Sequence, residues 1–152
     1  MIYLDSSALI KKYVVEKGTP EVRGFFSRGE LLWTSKVSQA EVWSAFARRR
    51  RARDLTAAQY RVIARSFERD WRSFAVVALS DEVMGMIRRL VERHPLRAFD
   101  AIQLASALWA KQNLGEQVVF VGADESLLKV AEATALTVAN PEKGGEVNYR
   151  SI

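Results

Sequence analysis

Short runs rich in β-branched and aromatic residues alternate with longer helical patterns along this chain, and this alternation restricts its fold more than any other feature. The predicted strands are Met1–Leu4, Leu31–Thr34, Ala75–Leu79, Val118–Val121 and Thr137–Ala139. The predicted helices lie between them, at Ser7–Val15, Pro20–Arg28, Ala40–Arg53, Ala57–Trp71, Asp81–Arg93, Ala98–Asn113 and Ser126–Thr134. Strands that are joined through helices pair in parallel. A chain of 152 residues is the size of one domain. The sequence therefore predicts a single α/β domain with a central parallel sheet that is flanked by helices.

Side chains that favour a helix start or stop support several of these boundaries. Thr56 with Gln59, and Ser38 with Glu41, both fit the capping box, in which a hydroxyl and a side-chain oxygen satisfy free amides of the first turn. Gly115 follows the sixth helical pattern, where a left-handed residue commonly ends a helix. These residues therefore support the predicted starts and stops of the helices.

Four acidic side chains lie where predicted strands give way to predicted helices. Asp5 directly follows the first strand, and Asp124 follows the fourth after two intervening residues. Glu41 and Asp100 each open a long helical pattern. In an open α/β sheet, ligands bind beyond the carboxyl ends of the strands, so acids delivered there would meet. Like charges at that distance repel unless a cation lies between them, and we therefore predict a Mg²⁺ or Mn²⁺ site.

Each acid also has a simpler interpretation. Asp5 and Asp124 could serve only as helix N-caps, since Asp is a favoured residue there. Glu41 could serve only as the partner of Ser38 in a capping box. Asp100 is harder to explain in this way, because the helix that follows it is apolar almost all round and should be buried. An acid at the entrance of a buried helix needs a partner or a metal ion.

Positive charge is concentrated in one part of the chain. Between residues 48 and 72, nine arginines face three acids, whereas the whole chain has a net charge of only +5. The helix predicted at Ala57–Trp71 has an apolar face and an almost purely cationic one. Arginine matches phosphate groups bidentately and stacks on bases, which favours RNA, but the same patch could hold an acidic segment of a protein partner. The candidate RNA-binding residues are Arg48, Arg49, Arg50, Arg51, Arg61, Arg65, Arg69 and Arg72.

The composition excludes or disfavours several other kinds of site. The chain has no cysteine, which excludes disulfides, thiolate metal sites and cysteine nucleophiles. The only histidine, His94, lies at the end of a helical pattern, so a metal-free acid–base pair is not favoured. The longest apolar helical stretch, Ala101 to Ala110, is interrupted by Gln103 and Ser106, so no membrane span is predicted. The start of the chain has the pattern of a strand and not of a signal peptide, and we expect a cytoplasmic protein.

Four short segments around the acids resemble one protein family. They are residues 5–13 (DSSALIKKY), 38–42 (SQAEV), 96–105 (LRAFDAIQLA) and 120–124 (FVGAD). Together they resemble the PIN domain, and within it the VapC-type ribonuclease toxins of bacterial and archaeal toxin–antitoxin pairs. The resemblance runs from the first residue to about Pro141, so it implies a PIN-like domain at residues 1–141 followed by a polar tail at residues 142–152.

This resemblance implies a fold, an activity and partners. The implied strand order is 3-2-1-4-5, and the implied activity is Mg²⁺- or Mn²⁺-dependent hydrolysis of RNA phosphodiesters, leaving 5′-phosphate and 3′-hydroxyl ends. A cognate antitoxin would inhibit the enzyme, and a homodimer is expected as in relatives. The alternative is an RNA-binding PIN module with little or no catalysis that uses the basic segment at residues 48–72.

The residue types suggest distinct roles within such a site. Asp5 and Asp100 are the expected direct ligands, since Mg²⁺ is usually held by one or two carboxylates and keeps several waters. Glu41 would orient or deprotonate the attacking water, and Ser7 would hydrogen-bond a ligand acid or a substrate phosphate. Two metal ions would align both the attacking and the leaving oxygen.

The fourth acid departs from the family pattern in its surroundings. Asp124 would hold a second metal ion or a water in the outer shell. The family often has Ser or Thr two residues before this acid, but Gly122 occupies that position here. Because a hydroxyl is missing, the role of Asp124 is the least supported of the four.

Two other enzyme classes also place an Asp after a first strand. Haloacid-dehalogenase-type phosphatases need a second Asp two residues later, where this chain has Ser7. Phospho-acceptor receiver domains need a further acid near Asp5 and a functional lysine beyond a late strand, and neither is evident. A metal-dependent nuclease is therefore the preferred interpretation.

Overall fold

Five short strands form one parallel sheet in the computed structural model, which describes residues 1–143. The strands are β1 (Ile2–Leu4), β2 (Leu32–Ser35), β3 (Ala75–Val77), β4 (Val119–Val121) and β5 (Thr137–Ala139). Their order in the sheet is β3-β2-β1-β4-β5, and every neighbouring pair is parallel. The predicted α/β class and strand order are confirmed. Because β1 is central, its carboxyl end lies between those of β2 and β4.

Seven helices connect and cover these strands within residues 1–143. They are α1 (Ser6–Ile10), α2 (Thr19–Ser27), α3 (Val37–Arg51), α4 (Ala57–Trp71), α5 (Asp81–Arg93), α6 (Ala98–Leu114) and α7 (Glu125–Ala133). Helices α4 and α5 match their predicted bounds. Helix α1 ends at Ile10 and not at Val15 as predicted, because the amides of Lys11, Lys12 and Tyr13 bond three residues back and tighten the chain into turns.

One of the two predicted capping boxes is wrong. Thr56 and Gln59 form a complete capping box at α4. Helix α3 instead begins at Val37, so Ser38 lies inside its first turn and its hydroxyl contacts Thr34 at 2.7 Å. The simpler interpretation of Glu41 as the partner of an N-cap serine therefore fails, since no such cap exists.

The alternating side chains of the strands build one core on each face of the sheet. Leu4 and Val121 point into the cluster beneath α1, α3 and α4, which contains the packed rings of Phe46 and Phe67. Tyr3 and Phe120 point to the other face and stack with their centroids 5.4 Å apart beneath α5, α6 and α7. With both faces covered, the carboxyl edge of the sheet is where polar side chains can converge.

The end of the described chain contacts its beginning. Lys11, whose side chain is 5% exposed, forms ion pairs with Glu16 at 3.0 Å and with Glu142 at 2.6 Å. Lys143 pairs with Glu125 at 2.9 Å. The predicted tail at residues 142–152 lies outside the described residues from 144 onward. Among residues 1–143, no helix combines the length and apolarity needed to cross a membrane.

Candidate active site

Asp5 lies at the carboxyl end of the central strand and is almost completely buried. It is 3% exposed and caps α1, its Oδ1 accepting the Ala8 amide at 2.9 Å and the Ser7 hydroxyl at 2.7 Å. Burial raises its pKa from 3.8 to about 7, and the charges of Glu41 and Asp100 raise this pKa too, whereas the Ala8 and Ser7 hydrogen bonds lower it. The predicted N-cap is confirmed, but capping does not explain a carboxylate that has only neutral donors and negative neighbours.

Ser7 and Gly122 connect Asp5 to the end of the neighbouring strand. The Ser7 hydroxyl donates to Asp5 and accepts the Ala123 amide at 2.8 Å, so it bridges the ends of β1 and β4. A Cβ atom built on Gly122 would lie 3.1 Å from Asp5 Oδ2, closer than an ordinary van der Waals contact. The glycine therefore leaves room for the Asp5 carboxylate, which would have to shift by a few tenths of an ångström if position 122 carried a side chain.

Glu41 reaches the site from α3 and is held by a side chain that the sequence analysis did not assign to the site. The Gln103 amide donates to Glu41 Oε2 at 2.7 Å and to Ser38 Oγ at 2.8 Å. Gln103 is 2% exposed and follows Asp100 by three residues on α6. Its sequence signal was an amide within the apolar stretch Ala101 to Ala110, which indicates a buried polar group that needs partners.

Asp100 and Asp124 face one cation, Arg97. Arg97 Nε lies 3.5 Å from Asp100 Oδ2, and Arg97 Nη2 lies 3.8 Å from Asp124 Oδ2. Burial raises the pKa of Asp100, Arg97 lowers it and Asp124 raises it again. Asp124 also caps α7 through Oδ1, as the simpler interpretation predicted. Because the Arg97 side chain is 85% exposed, this contact is weak and easily displaced.

The acids are close enough to interact electrostatically but do not form a preassembled cage. Asp5 interacts with Glu41 and Asp100, and Asp100 interacts with Asp124. Across residues 1–143, no three His, Cys, Asp or Glu side chains are close enough to hold one metal ion together. Mg²⁺ commonly uses one or two protein carboxylates and fills its shell with water. The donor set, which consists of hard carboxylate oxygens around one under-compensated acid, therefore fits Mg²⁺ or Mn²⁺.

The basic segment occupies the far end of α3 and the exposed face of α4. Glu41 and Arg51 are separated by ten residues of α3, which corresponds to about 15 Å along the helix. Arg49 differs from the others because it donates to Glu16 and is half-buried. Arg61, Arg65 and Arg69 line a shallow groove of about 480 Å³ on α4. The other candidate RNA-binding arginines are all exposed: Arg48, Arg50, Arg51, Arg61, Arg65, Arg69 and Arg72.

The chain is similar in sequence and fold to known proteins. The family model of the PIN domain matches residues 2–133. Ribonuclease VapC45 of Mycobacterium tuberculosis (strain CDC 1551 / Oshkosh) is 31% identical over 108 residues, which cover 71% of this chain and 75% of that protein. Ribonuclease VapC47 of the same strain is 28% identical over 145 residues, covering 93% and 97%.

Solved structures with low identity share the fold. The structure of FitAB bound to an IR36 DNA fragment matches with a TM-score of 0.69 and 17% identity, over 97% of this chain and 99% of that one. VapBC2 from Rickettsia felis, bound to a DNA fragment from its promoter, matches with a TM-score of 0.62 and 12% identity, over 92% and 98%. Because the family model covers most of the chain, this protein belongs to the PIN domain family.

Proposed function

We propose that this protein is a Mg²⁺- or Mn²⁺-dependent endoribonuclease that acts as the toxin of a toxin–antitoxin pair. The observation that carries the proposal is the buried Asp5 carboxylate, whose pKa is raised to about 7 by burial and by neighbouring acids, and which pairs with no cation of residues 1–143. Such a group favours the binding of a divalent cation, because the cation stabilises the ionised form. The relatives named as ribonucleases support the choice of RNA as substrate.

In this proposal Asp5 and Asp100 would hold the metal ion, with Asp124 next to it. A bound Mg²⁺ neutralises charge that develops on the phosphate and orients the reacting oxygens. Asp5 is already oriented, since Oδ1 is fixed by Ser7 and Ala8. Asp124 is fixed in the same way, because its Oδ1 accepts two amides of α7 while Oδ2 faces Arg97. In both acids one oxygen is used for capping and the other remains for a ligand.

Glu41 is the proposed general base. Gln103 engages only its Oε2 atom, and Oε1 accepts no hydrogen bond from any residue that the structure describes. A free carboxylate oxygen at the edge of the site can accept the proton of the attacking water. Ser7 is proposed to keep the Asp5 carboxylate in place through its bridge to Ala123.

The arginines of α4 are the proposed contact to the RNA backbone. Arg61, Arg65 and Arg69 share one exposed groove, and within residues 1–143 only Arg69 of these three forms an ion pair, with Asp70 at 3.4 Å. Replacing these three arginines with Ala should weaken RNA binding and reduce the slope of log affinity against log salt by up to about 2. Arg88→Ala on α5 is a suitable control, because Arg88 is exposed but already paired with Glu92. An unchanged salt slope would assign the groove to a protein partner instead.

The proposed partners are an antitoxin and a second copy of the chain, in the cytoplasm. An arginine or lysine of the antitoxin could enter the acidic site and pair with the carboxylates. We expect expression of the chain alone to slow growth, and co-expression of a neighbouring small gene to restore it. Size-exclusion chromatography with light scattering tests the homodimer.

Cleavage assays with purified protein test the enzymatic proposal directly. Asp5→Asn and Asp100→Asn should each reduce metal-dependent RNA cleavage by about 1,000-fold or more while the fold is kept, which circular dichroism checks. Mn²⁺ binding by calorimetry should weaken in parallel. Full cleavage by either variant would refute the assignment. RNA binding without cleavage in the wild type would instead favour the alternative, a non-catalytic RNA-binding PIN module.

A further inference from the structure

Beneath Glu41 lies a buried hydrogen-bonded network that joins the three elements carrying Asp5, Glu41 and Asp100. Tyr3 on β1 is fully buried, and its hydroxyl donates to Gln103 Oε1 on α6 at 2.9 Å. The amide of Gln103 then donates to Ser38 Oγ and to Glu41 Oε2 on α3, at 2.8 and 2.7 Å. Tyr3 precedes Asp5 by two residues, and Gln103 follows Asp100 by three. Tyr3 is thus connected through a short stretch of backbone to Asp5, and Gln103 is connected in the same way to Asp100.

The direction of every bond around Gln103 is fixed by its neighbours. The Tyr3 hydroxyl must face an acceptor, so the carbonyl oxygen of Gln103 points toward β1. A flipped amide would place Oε1 against the Glu41 carboxylate, where two acceptors repel. Gln103 therefore presents its NH₂ group toward Glu41 in one orientation only.

The second N–H of the Gln103 amide donates to the first of two linked hydroxyls, and the second hydroxyl donates to a backbone carbonyl. Ser38 Oγ lies 2.7 Å from Thr34 Oγ1, and Thr34 Oγ1 lies 2.7 Å from the Leu4 carbonyl. Because that carbonyl can only accept, Thr34 donates to it and Ser38 donates to Thr34. All donors of the network are thereby used, and among residues 1–143 no buried side-chain N or O atom lacks a partner. A fully satisfied buried network is rigid.

We propose that Gln103 is a positioning residue, which holds the Glu41 carboxylate in the place where it acts. This inference rests on the function proposed above. Glu41 is repelled by the charge of Asp5, and its side chain has several rotatable bonds. Without the Gln103 amide, Glu41 turns toward solvent and away from the water that it activates. Outer partners that orient reacting groups typically contribute about 10- to 100-fold to activity.

The decisive variant is Gln103→Met, which keeps the length of the side chain and removes both the donor and the acceptor. We expect kcat for RNA cleavage to fall about 10- to 100-fold and KM to stay within about threefold, since Gln103 lies below the surface that RNA contacts. In a Glu41→Gln background the same change should cost less than about threefold more, because the group on which Gln103 acts is already altered. Full kcat in Gln103→Met, or a full multiplicative loss in the double variant, would overturn the inference.

Ser106→Ala is the matched control. Ser106 is also fully buried on α6, one turn beyond Gln103, and its hydroxyl lies 3.0 Å from Ser35 Oγ. It also hydrogen-bonds the Tyr3 side chain, so Ser106→Ala perturbs the Tyr3 end of the network without removing the amide that holds Glu41. We expect it to lower the melting temperature comparably and to leave kcat within about threefold of wild type. An equal loss of kcat in both variants would mean that any buried hydrogen bond in α6 matters, and would reject a specific role for Gln103.

Nuclear magnetic resonance separates this inference from the proposed function, because it needs no cleavage. In the metal-free full-length protein, the two γ-protons of Glu41 should have distinct shifts, and these should converge in Gln103→Met as the side chain becomes mobile. The Gln103 amide protons should exchange slowly and should shift in Glu41→Gln. Unchanged Glu41 resonances in Gln103→Met would overturn the inference even if RNA is cleaved. The expected changes in a protein that does not cleave RNA would leave the positioning intact and refute the enzyme.

Discussion

Two buried charged groups in this protein, Lys11 and Asp5, have opposite surroundings. Lys11 is 4% exposed and Asp5 is 3% exposed. Lys11 pairs with two carboxylates, and one of them, Glu16, also accepts from Arg49. Among residues 1–143, Asp5 accepts only from neutral groups and has acids as its charged neighbours. The two side chains are therefore buried to a similar extent, but Lys11 is paired with opposite charges, whereas Asp5 is repelled by the acids around it.

The pKa values reflect this difference. Burial alone lowers the pKa of Lys11, but its hydrogen bonds and charge interactions with Glu142 and Glu16 outweigh this and raise the pKa, which keeps the ammonium charged. Burial raises the pKa of Asp5 to about 7 and the neighbouring acids add to the effect, so its charged form is disfavoured in the metal-free protein. Ions that only stabilise a fold are paired, whereas strained titratable groups concentrate at functional sites. The comparison supports the proposal that the functional site lies around Asp5.

The largest effect on stability is expected from the charge of Asp5. Its folded pKa lies above the unfolded one, 3.8 against about 7, so the folded state holds the proton more tightly. Stability of the metal-free protein should therefore fall as pH rises from about 4 to about 7, by up to about 4 kcal/mol from this group, and stay low above that. Asp5→Asn can still cap α1 and should remove this loss. Urea unfolding in the presence of a chelator, at several pH values, measures this loss of stability in the wild type and in Asp5→Asn. Identical pH profiles for the two proteins would contradict the comparison.

Removing Lys11, the buried cation that pairs with Glu16 and Glu142, should have the next largest effect on the free energy of unfolding. Lys11→Met leaves Glu16 and Glu142 facing each other without the ammonium, and should cost about 2 to 3 kcal/mol, less than a fully buried pair because both acids are partly exposed. Arg88→Met, which breaks the exposed pair with Glu92, should cost less than about 0.5 kcal/mol. Chemical denaturation measures the free energy of unfolding of both variants. Equal losses in Lys11→Met and Arg88→Met would show that the burial of Lys11 contributes nothing.

A smaller effect on stability is expected at Gly18, which lies against the backbone of Pro141 and Glu142. Gly18 has φ +85°, and an added Cβ would lie 2.9 Å from the backbone C and O atoms of Pro141. Gly18→Ala should therefore cost about 2 kcal/mol, combining left-handed strain with a backbone clash. Gly29→Ala, with φ +69° and open space around it, carries the strain alone and should cost about 1 kcal/mol. If thermal unfolding finds the two equal, the contact with Pro141 does not hold the chain end in place.

The smallest effect is expected at the glycine beside Asp5. An added Cβ at Gly122 would approach a side-chain carboxylate and not backbone, so Gly122→Ala should cost about 1 kcal/mol as Asp5 shifts by a few tenths of an ångström. The Gly122→Ala variant should stay folded, but its rate of RNA cleavage should fall because the Asp5 carboxylate is displaced. Gly85→Ala in α5 has open space and should stabilise the protein by about 0.5 to 1 kcal/mol. Unchanged cleavage by Gly122→Ala would mean that the position of Asp5 tolerates displacement.

The sequence predicted the elements that local rules specify. Helix α4 and helix α5 match their predicted bounds because the apolar period and the caps at Thr56 and Ser80 lie within or beside each segment. The alternation of strands and helices also predicted the parallel sheet, since only crossovers can join such strands. Local rules failed at Ser38, whose capping pattern was overridden because its hydroxyl is used by Thr34 and Gln103.

The sequence by itself determined that Asp5 and Asp124 come shortly after strands and that Glu41 and Asp100 lie near helix starts, because these positions are specified by order along the chain. Only the tertiary structure decided which side chains surround those acids. Gln103 lies 62 residues from Glu41, and Lys11 lies 131 residues from Glu142. Such partners meet because helices and strands pack at particular distances and angles, and no pattern within one segment encodes that packing. The physical difference between the paired Lys11 and the unpaired Asp5 was therefore absent from the sequence and arose when the sheet brought their neighbours together.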